Sequence, residues 1–390
     1  MIARQAKYKL KEYSNEFPVV YVNGPRQSGK TTLVRSVFSK KPYVLLEDLD
    51  QKEAAITDPR KFLAQYPAGA IFDEIQECPE LLSYMMGIVD DKKKNGMFIL
   101  TGSQNILMLD KVKQSLAGRM AILDLWPLSL SELRLKIKKL SVDEIIYRGG
   151  YPKIWNEKSN PSLQMAQYVK TYVERDVREI IHVRNLSLFR KFMILCAGRT
   201  GQMLNKSSIC NDMGISDMTV QEWLSVLEAS NLIFLLQPYH ENLNKRVLKA
   251  PKIYFVDTAL VCHLLGINKA DQVNSHPLYG NLFENLIIGE LMKQNIFNPA
   301  MSNLHFFRDK QGHEVDVIKE IGKKIYFIEI KGGATFNYDW LKGLTYLETL
   351  VKGKIQSKNI IYTGNHSFET QNTRIYSYKS LDKLFKNFMI

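Results

Sequence analysis

The chain has 390 residues, 45 % hydrophobic and 24 % charged, which suits an ordinary soluble globular protein of two or three domains and excludes a largely disordered one. Its net charge of +13 favours a polyanionic partner, nucleic acid first and an anionic membrane second. Four isolated cysteines, Cys78, Cys196, Cys210 and Cys262, lack the spacing of a disulfide framework or structural zinc site and suit a reducing cytoplasm, and no run approaches the ~18 apolar residues of a membrane span.

In chain order, the first predicted element is the apolar strand Phe17 to Val22, and an amphipathic helix is predicted from Lys30 to Phe38. Between them Gly24, Pro25, Arg26, Gln27, Ser28, Gly29, Lys30 and Thr31 fit the phosphate-loop pattern G-x-x-x-x-G-K-S/T. Glycine at both ends lets successive N–H groups turn toward a β-phosphate at the positive end of the helix. Lys30 is then placed for the β- and γ-phosphates and Thr31 for Mg²⁺, with Thr32 a further candidate nucleotide contact. A glycine-rich turn with a solvated lysine is the bland alternative, and the flanking strand and helix weigh against it. No Asn-Lys-x-Asp guanine-reading sequence occurs, so ATP is preferred to GTP.

Ala70 to Glu74 is an apolar strand ending in two acids. Asp73 is placed for the Mg²⁺ shell and Glu74 for polarising the water that attacks the γ-phosphate. Met97 to Ser103 reads as another buried strand, whose polar end, Thr101, Ser103, Gln104 or Asn105, is a candidate γ-phosphate sensor or else a plain cap. Arg119, before the strand Met120 to Leu125, is a candidate for neutralising charge on a γ-phosphate in its own subunit or in a neighbour of a homo-oligomer, with a surface role equally open.

After Leu125 the pattern turns helical, punctuated by Trp126-Pro127-Leu128-Ser129 and Gly149-Gly150-Tyr151-Pro152. A helix is predicted over Tyr168 to Ile181. Its charged triplet Glu174-Arg175-Asp176 reads as a salt-bridged exposed face, with a nucleotide-sensing role as the alternative. From Leu188 the sequence suits a winged helix: helices at 189–197, 205–213 and 217–229, a glycine turn at Gly214, and Ser216 as N-cap. Val220, Trp223, Leu224 and Leu227 form the buried stripe of the last helix. Strands at 232–236 and 252–256 bracket the basic loop Asn244-Lys245-Arg246. Met218, Thr219 and Gln221 are the exposed recognition positions, uncharged, so DNA contact and domain packing both remain open. Basic clusters at 92–94, 136–139 and 245–252 read as solvated faces or polyanion patches.

The last third holds a second constellation. Glu284 opens an amphipathic helix, Asp316 centres the strand Glu314 to Ile318, and Glu329-Ile330-Lys331 closes the partner strand. Residues 329 and 331 share one face of a strand, so a carboxylate and an ammonium meet in one pocket. In that arrangement Asp316, Glu329 and Glu284 are candidate Mg²⁺ ligands and Lys331 orients the attacking water. The alternative is an edge hairpin with charges facing solvent.

With Leu100 to Ser103, Leu116 to Arg119, Trp126-Pro127-Leu128, Gly149 to Pro152, Tyr172 to Asp176, Gly280 to Glu284 and Glu314 to Asp316 beside the two ATP motifs, the chain resembles a group of prokaryotic AAA-type P-loop ATPases. That group carries a C-terminal winged helix and a PD-(D/E)XK nuclease-like domain of unassigned function. The resemblance implies an α/β fold with a parallel P-loop sheet (1–125), a helical linker (126–186), a winged helix-turn-helix (187–268) and an α/β nuclease-like domain (269–390). It implies a nucleotide-dependent switch with a nucleic-acid-related output, DNA or RNA, and supplies no settled substrate. Two functions stay open: an ATPase gating a metal-dependent endonuclease, or a binding switch whose nuclease-like domain is inactive.

Overall fold

The computed structural model describes residues 2–103, 118–156, 159–173, 185–239, 250–297, 303–351 and 355–388. The segment of Val19, Val20, Tyr21 and Val22 is apolar on both faces and therefore becomes the inner strand of a parallel sheet, β1 (Val19–Asn23). Around it lie β2 (Tyr43–Leu45), β3 (Ile71–Asp73), β4 (Phe98–Gly102) and β5 (Met120–Asp124), in the order β2-β3-β4-β1-β5, every pair parallel. Alternate residues feed two layers. Val20 and Val22 pack with Ala6, Leu10, Leu33 and Val34, while Val19 and Tyr21 pack with Phe72, Phe98 and Leu100. The sheet therefore ends with Asn23, Asp73 and Gly102 along one carboxyl edge, the usual location of a ligand crevice.

A second sheet has nine strands: β6 (Gln202–Met203), β7 (Ile233–Pro238), β8 (Lys252–Phe255), β9 (Asn303–Arg308), β10 (Glu314–Ile321), β11 (Lys324–Lys331), β12 (Ile355–Tyr362), β13 (Phe368–Thr370) and β14 (Thr373–Ser377). Their order is β13-β14-β12-β11-β10-β9-β7-β8-β6. Parallel pairing of β7 with β9, Gln237 opposite His305, carries this sheet across residue 268. One core also runs across that position, from Trp126 and Phe189 through Phe255 to Phe283 and Phe388.

The helices at Leu186–Ala197, Lys206–Met213 and Asp217–Ala229 lie where the apolar spacing puts them, the first starting three residues early. Gly214 adopts φ 65°, and Ser216 accepts the Thr219 N–H at 3.1 Å, so turn and cap are as read. Val220, Trp223, Leu224 and Leu227 are buried, and Met218 is 82 % exposed. The helix predicted from Tyr168 instead starts at Pro161, because Asn160 caps the Leu163 N–H and proline fits the first turn; it continues as a π-helical turn, Val169–Val173. Glu174-Arg175-Asp176, Gln104, Asn105, Leu116, Ala117 and Asn244-Lys245-Arg246 lie outside the described residues. The edge-hairpin alternative fails, since β11 is an inner strand between β10 and β12 and its acid is buried.

Lys319 on β10 is buried, and burial pulls its ammonium down to about 8. An unfolded lysine keeps its proton to pH ~10, so between about pH 8 and 10 the unfolded chain binds more protons and stability rises with pH. Lys319→Met is expected to flatten that rise and to lift the melting temperature at pH 7 by roughly 2–4 °C. Thermal melts of both proteins from pH 7 to 10 check this, and parallel curves would overturn it.

Candidate functional site

The phosphate loop follows β1 directly. Gly24 takes φ 148° and Gly29 φ 94°, and a Cβ on Gly24 would stand 2.3 Å from the Leu125 carbonyl oxygen, so that position admits glycine alone. Gln27 also has positive φ, which turns the loop N–H groups inward. Gly29 is the N-cap of the helix Lys30–Val37. Lys30 is buried and its ammonium lies on the carbonyls of Gly24 and Pro25, at 2.9 and 3.0 Å. Ser28 Oγ is buried without a hydrogen-bond partner, the kind of donor a phosphate oxygen would satisfy. Pro25 lies within the loop, Arg26 reaches Glu47 at 3.8 Å, and Thr32 lines a neighbouring cavity.

Asp73 at the end of β3 gathers hydroxyl donors. Thr31 Oγ1 donates to it at 2.8 Å and Tyr43 Oη at 2.7 Å, and Thr101 Oγ1 also donates. Thr31 and Asp73 thus lie in direct contact, as a shared Mg²⁺ shell requires. Glu74 has φ 57°, a strained conformation that turns its side chain across the strand ends. Its Oε2 accepts from Gln76 Nε2 at 2.5 Å and from the Ser103 N–H at 3.4 Å, while Gln76 also donates to Ser103 Oγ at 3.3 Å. Ser103 therefore stands beside the candidate base.

Arg119 lies elsewhere. It precedes β5 at the amino edge of the sheet, where its carbonyl accepts the Val19 N–H, and the loop begins beyond the carboxyl edge, roughly 15 Å away at ~3.3 Å per strand residue. Its guanidinium, 39 % exposed, forks onto Asp90. The expectation that Arg119 serves the nucleotide of its own chain is therefore corrected.

Sequence reasoning missed Arg4. Its guanidinium is buried and donates to the Ser28 and Trp126 carbonyls, both at 2.6 Å, and pairs with Glu132 at 3.1 Å. It ties the phosphate loop to the Trp126-Pro127-Leu128 turn. A cavity of about 320 Å³ opens beside it, lined by Ile2, Arg4, Thr32, Ser36, Pro152 and Asn156. That volume is at the small end of the range for ligand pockets. Arg4 and Tyr43 carry no motif and lie far from their partners in sequence.

The second constellation comes together around a residue read as part of a surface basic cluster. Lys252, at the start of β8, is only 2 % exposed, which corrects that reading. Its ammonium lies 3.0 Å from Glu284 Oε1, 2.5 Å from Glu314 Oε1 and 3.6 Å from Asp316 Oδ1. Tyr254 Oη also donates to Glu284 Oε1 at 2.5 Å. A bulge in the β9–β10 pairing between Val315 and Ile318 re-aims Asp316, whose Oδ2 accepts the Ile330 N–H at 2.8 Å. Glu329 Oε1 meets Lys331 at 2.5 Å, and Glu329 Oε2 is buried without a partner.

Burial pushes Glu329 up to about 8, reinforced by Asp316 and opposed by Lys331. It also pushes Glu284 up to about 7, against the pull of Lys252. Burial opposes the charge on Lys252, yet Tyr254, Glu284, Asp316 and Glu314 together hold it well above the ordinary lysine value. Among the described residues no three carboxylate, thiol or imidazole groups are spaced as a ready ligand set for a metal, because Glu284 and Glu314 close on Lys252.

One helix, Tyr279–Phe297, serves both places. Glu284 faces the pocket, while further along Glu290 accepts the Leu130 N–H at 2.7 Å and Lys293 donates to the Leu128 carbonyl at 3.0 Å. All four cysteines are free. No helix among the described residues is long and apolar enough to cross a membrane.

Residues 16–134 match the family model of an AAA domain, and residues 139–271 and 279–381 match two domains of unknown function (DUF8612 and DUF4143). An uncharacterized protein of Mycobacterium tuberculosis is 26 % identical over 373 residues, 95 % of this chain and 82 % of its own. An uncharacterized protein of Haemophilus influenzae is 24 % identical over 297 residues, covering 71 % and 68 %. Among solved structures, the Walker-type ATPase of Pyrococcus abyssi is similar with a TM-score of 0.45 and 17 % identity, over 68 % of this chain and 96 % of that one. The phosphate loop, its strand-end acids and the AAA match over the same residues make the N-terminal unit an AAA-type P-loop domain that binds ATP, and the chain an ATPase.

Proposed function

We propose that the protein is a Mg²⁺-dependent ATPase whose cycle governs a nucleic-acid-directed pocket in the C-terminal nuclease-like domain. The observation that carries the input half is the meeting of Lys30, Thr31, Asp73 and Glu74 at the carboxyl edge of one sheet, with Ser28 Oγ left for a phosphate oxygen. Thr31 and Asp73 would hold Mg²⁺, which when bound neutralises charge on the β- and γ-phosphates. Lys30 leaves the loop carbonyls for the phosphates, and Glu74 takes a proton from water as its oxygen attacks phosphorus and the bond to the β-phosphate oxygen breaks. The cavity beside Arg4 suits the nucleoside.

For the output half, the grouping of Asp316, Glu329 and Lys331 on β10 and β11, with Glu284 from the helix, supports phosphodiester hydrolysis with a divalent cation. Water attacks phosphorus, one P–O bond breaks, and the leaving oxygen takes a proton. The unpartnered Glu329 Oε2 fits such a cation. Winged-helix contact with DNA or RNA belongs to the same reading, supported by the net positive charge and the capped helix pair. The helix shared by the pocket and the Leu128–Leu130 turn supports coupling between the halves. A role for Arg119 toward a neighbouring subunit's nucleotide in a homo-oligomer, a reducing cytoplasmic setting and the four domain boundaries given above are further parts of this proposal.

The second reading, a switch that holds nucleic acid without cutting it, is favoured by Lys252, whose ammonium already satisfies Glu284. Incubating the protein with Mg²⁺ or Mn²⁺, ATP and single- and double-stranded DNA and RNA distinguishes the two. Cleavage that Asp316→Ala reduces by at least about 100-fold is expected. No cleavage by the parent under any condition would sink the nuclease reading and leave the binding switch.

A further inference from the structure

The C-terminal pocket is built by two stretches of chain, and the sequence motif names only one. Lys252 enters from β8, on the far side of β9 from the hairpin that carries Asp316 and Glu329. Its ammonium is ringed by three carboxylates, with Glu284 and Glu314 at 3.0 and 2.5 Å and Asp316 at 3.6 Å. A divalent ion bridging these acids would gather the same oxygens.

Lys252 is also held in place. Asn285 accepts the Phe255 N–H at 2.8 Å and the Thr200 hydroxyl at 2.6 Å, and donates to the Phe255 carbonyl at 2.8 Å. This double clamp fixes β8 to the helix of Glu284. Withdrawing the ammonium would leave Glu284 and Asp316, both largely buried, facing each other without a cation, a costly arrangement.

On the other side of Asp316 the geometry differs. Glu329 is 94 % buried by its 6 % exposure, and its Oε2 meets no donor. Four carboxylates, Glu284, Glu314, Asp316 and Glu329, face Lys252, Lys331 and, at the rim, Arg308, which meets Glu314 at 3.2 Å. With every group ionised the balance is a single negative charge, which suits one added divalent ion better than two. Mg²⁺ is commonly held by one or two carboxylates with water and substrate oxygens completing its shell, and Asp316 with Glu329 supplies that number.

We propose that Lys252 is the resident cation of this pocket, standing where one of two divalent ions would otherwise bridge Glu284, Glu314 and Asp316, so that the pocket takes a single divalent cation between Asp316 and Glu329. Lys252 is thus a positioning residue that fixes metal stoichiometry. The inference rests on the reading of the pocket as a metal site, and the experiment keeps the two apart.

Mn²⁺ binding to the nucleotide-free 390-residue chain, carrying Asp73→Asn to silence the nucleotide site, is measured by electron paramagnetic resonance of the free ion. One Mn²⁺ per chain is expected, lost in Glu329→Gln, retained in Lys252→Arg and raised to two in Lys252→Met. Two ions on the parent pocket, or one ion on folded Lys252→Met, would overturn the inference while the loss in Glu329→Gln upholds the metal site. No ion on any of these proteins would overturn both. If Lys252→Met does not fold, as its melting curve shows, the counts on the parent and on Lys252→Arg decide.

Discussion

Lys30→Ala is expected to lower ATP turnover by about 10²–10³-fold and to weaken nucleotide binding. The buried ammonium is held on the Gly24 and Pro25 carbonyls, at 2.9 and 3.0 Å, and these bonds are ones it can exchange for phosphate oxygens. A preorganised charge aimed at developing phosphate charge is worth that factor in a site shielded from water. Alanine removes the charge without adding bulk next to Gly24, so the fold is preserved. Steady-state phosphate release and titration with a fluorescent ATP analogue measure the two effects. Full affinity with full turnover would refute the assignment of the loop as the nucleotide site.

Glu74→Gln is expected to separate binding from chemistry: turnover falls by about 10²–10⁴-fold while ATP affinity changes no more than a few-fold. Glutamine matches the shape of glutamate and can keep its place beside Gln76 and Ser103, but it cannot take a proton from water. Positive φ at this residue costs the same for both side chains, so stability is unaffected. Single-turnover phosphate release beside equilibrium binding resolves the split. Near-parental turnover would assign the base elsewhere, and a parallel collapse of affinity would make Glu74 a binding residue.

The two outcomes read together locate the input of the proposed switch. Loss of both properties at Lys30 and of hydrolysis alone at Glu74 would place phosphate recognition in the loop and water activation at the end of β3. The further output then depends on whether the helix Tyr279–Phe297 transmits that state. Its Glu290 and Lys293 grip the turn beside Arg4, and its Glu284 sits with Lys252. Every link in that chain is a buried or partly buried polar contact, costly to break and therefore able to hold two elements in register.

Much of the candidate nucleotide site was legible because phosphate chemistry imposes local constraints. A loop that must turn N–H groups inward needs glycine at Gly24 and Gly29, and the lysine and threonine must follow at once, so the motif is contiguous. The acids Asp73 and Glu74 were legible because charge at the end of an apolar strand is rare without a partner. The hairpin of Asp316 and Glu329 was visible through its period of two, as was the helix pair around Gly214 through its cap and apolar stripe. Arg119 misled because a position at the start of a strand does not say which edge of the sheet that start occupies; parallel pairing with β1 puts it at the edge away from the loop. Lys252 misled because lysine beside a basic loop resembles surface.

What the sequence determined by itself, then, is whatever a local backbone or a short period requires: the phosphate loop, its strand and helix, the strand-end acids, the helix-turn-helix and the acid–lysine hairpin. What only the tertiary structure decided is which distant groups share a pocket: Arg4 with Ser28, Tyr43 with Asp73, and Lys252 with Glu284, Glu314 and Asp316. These pairs lie between 24 and 64 residues apart, and no periodicity spans such distances. Burial is the physical reason they matter, since a charge removed from water must find its partner wherever the fold delivers one.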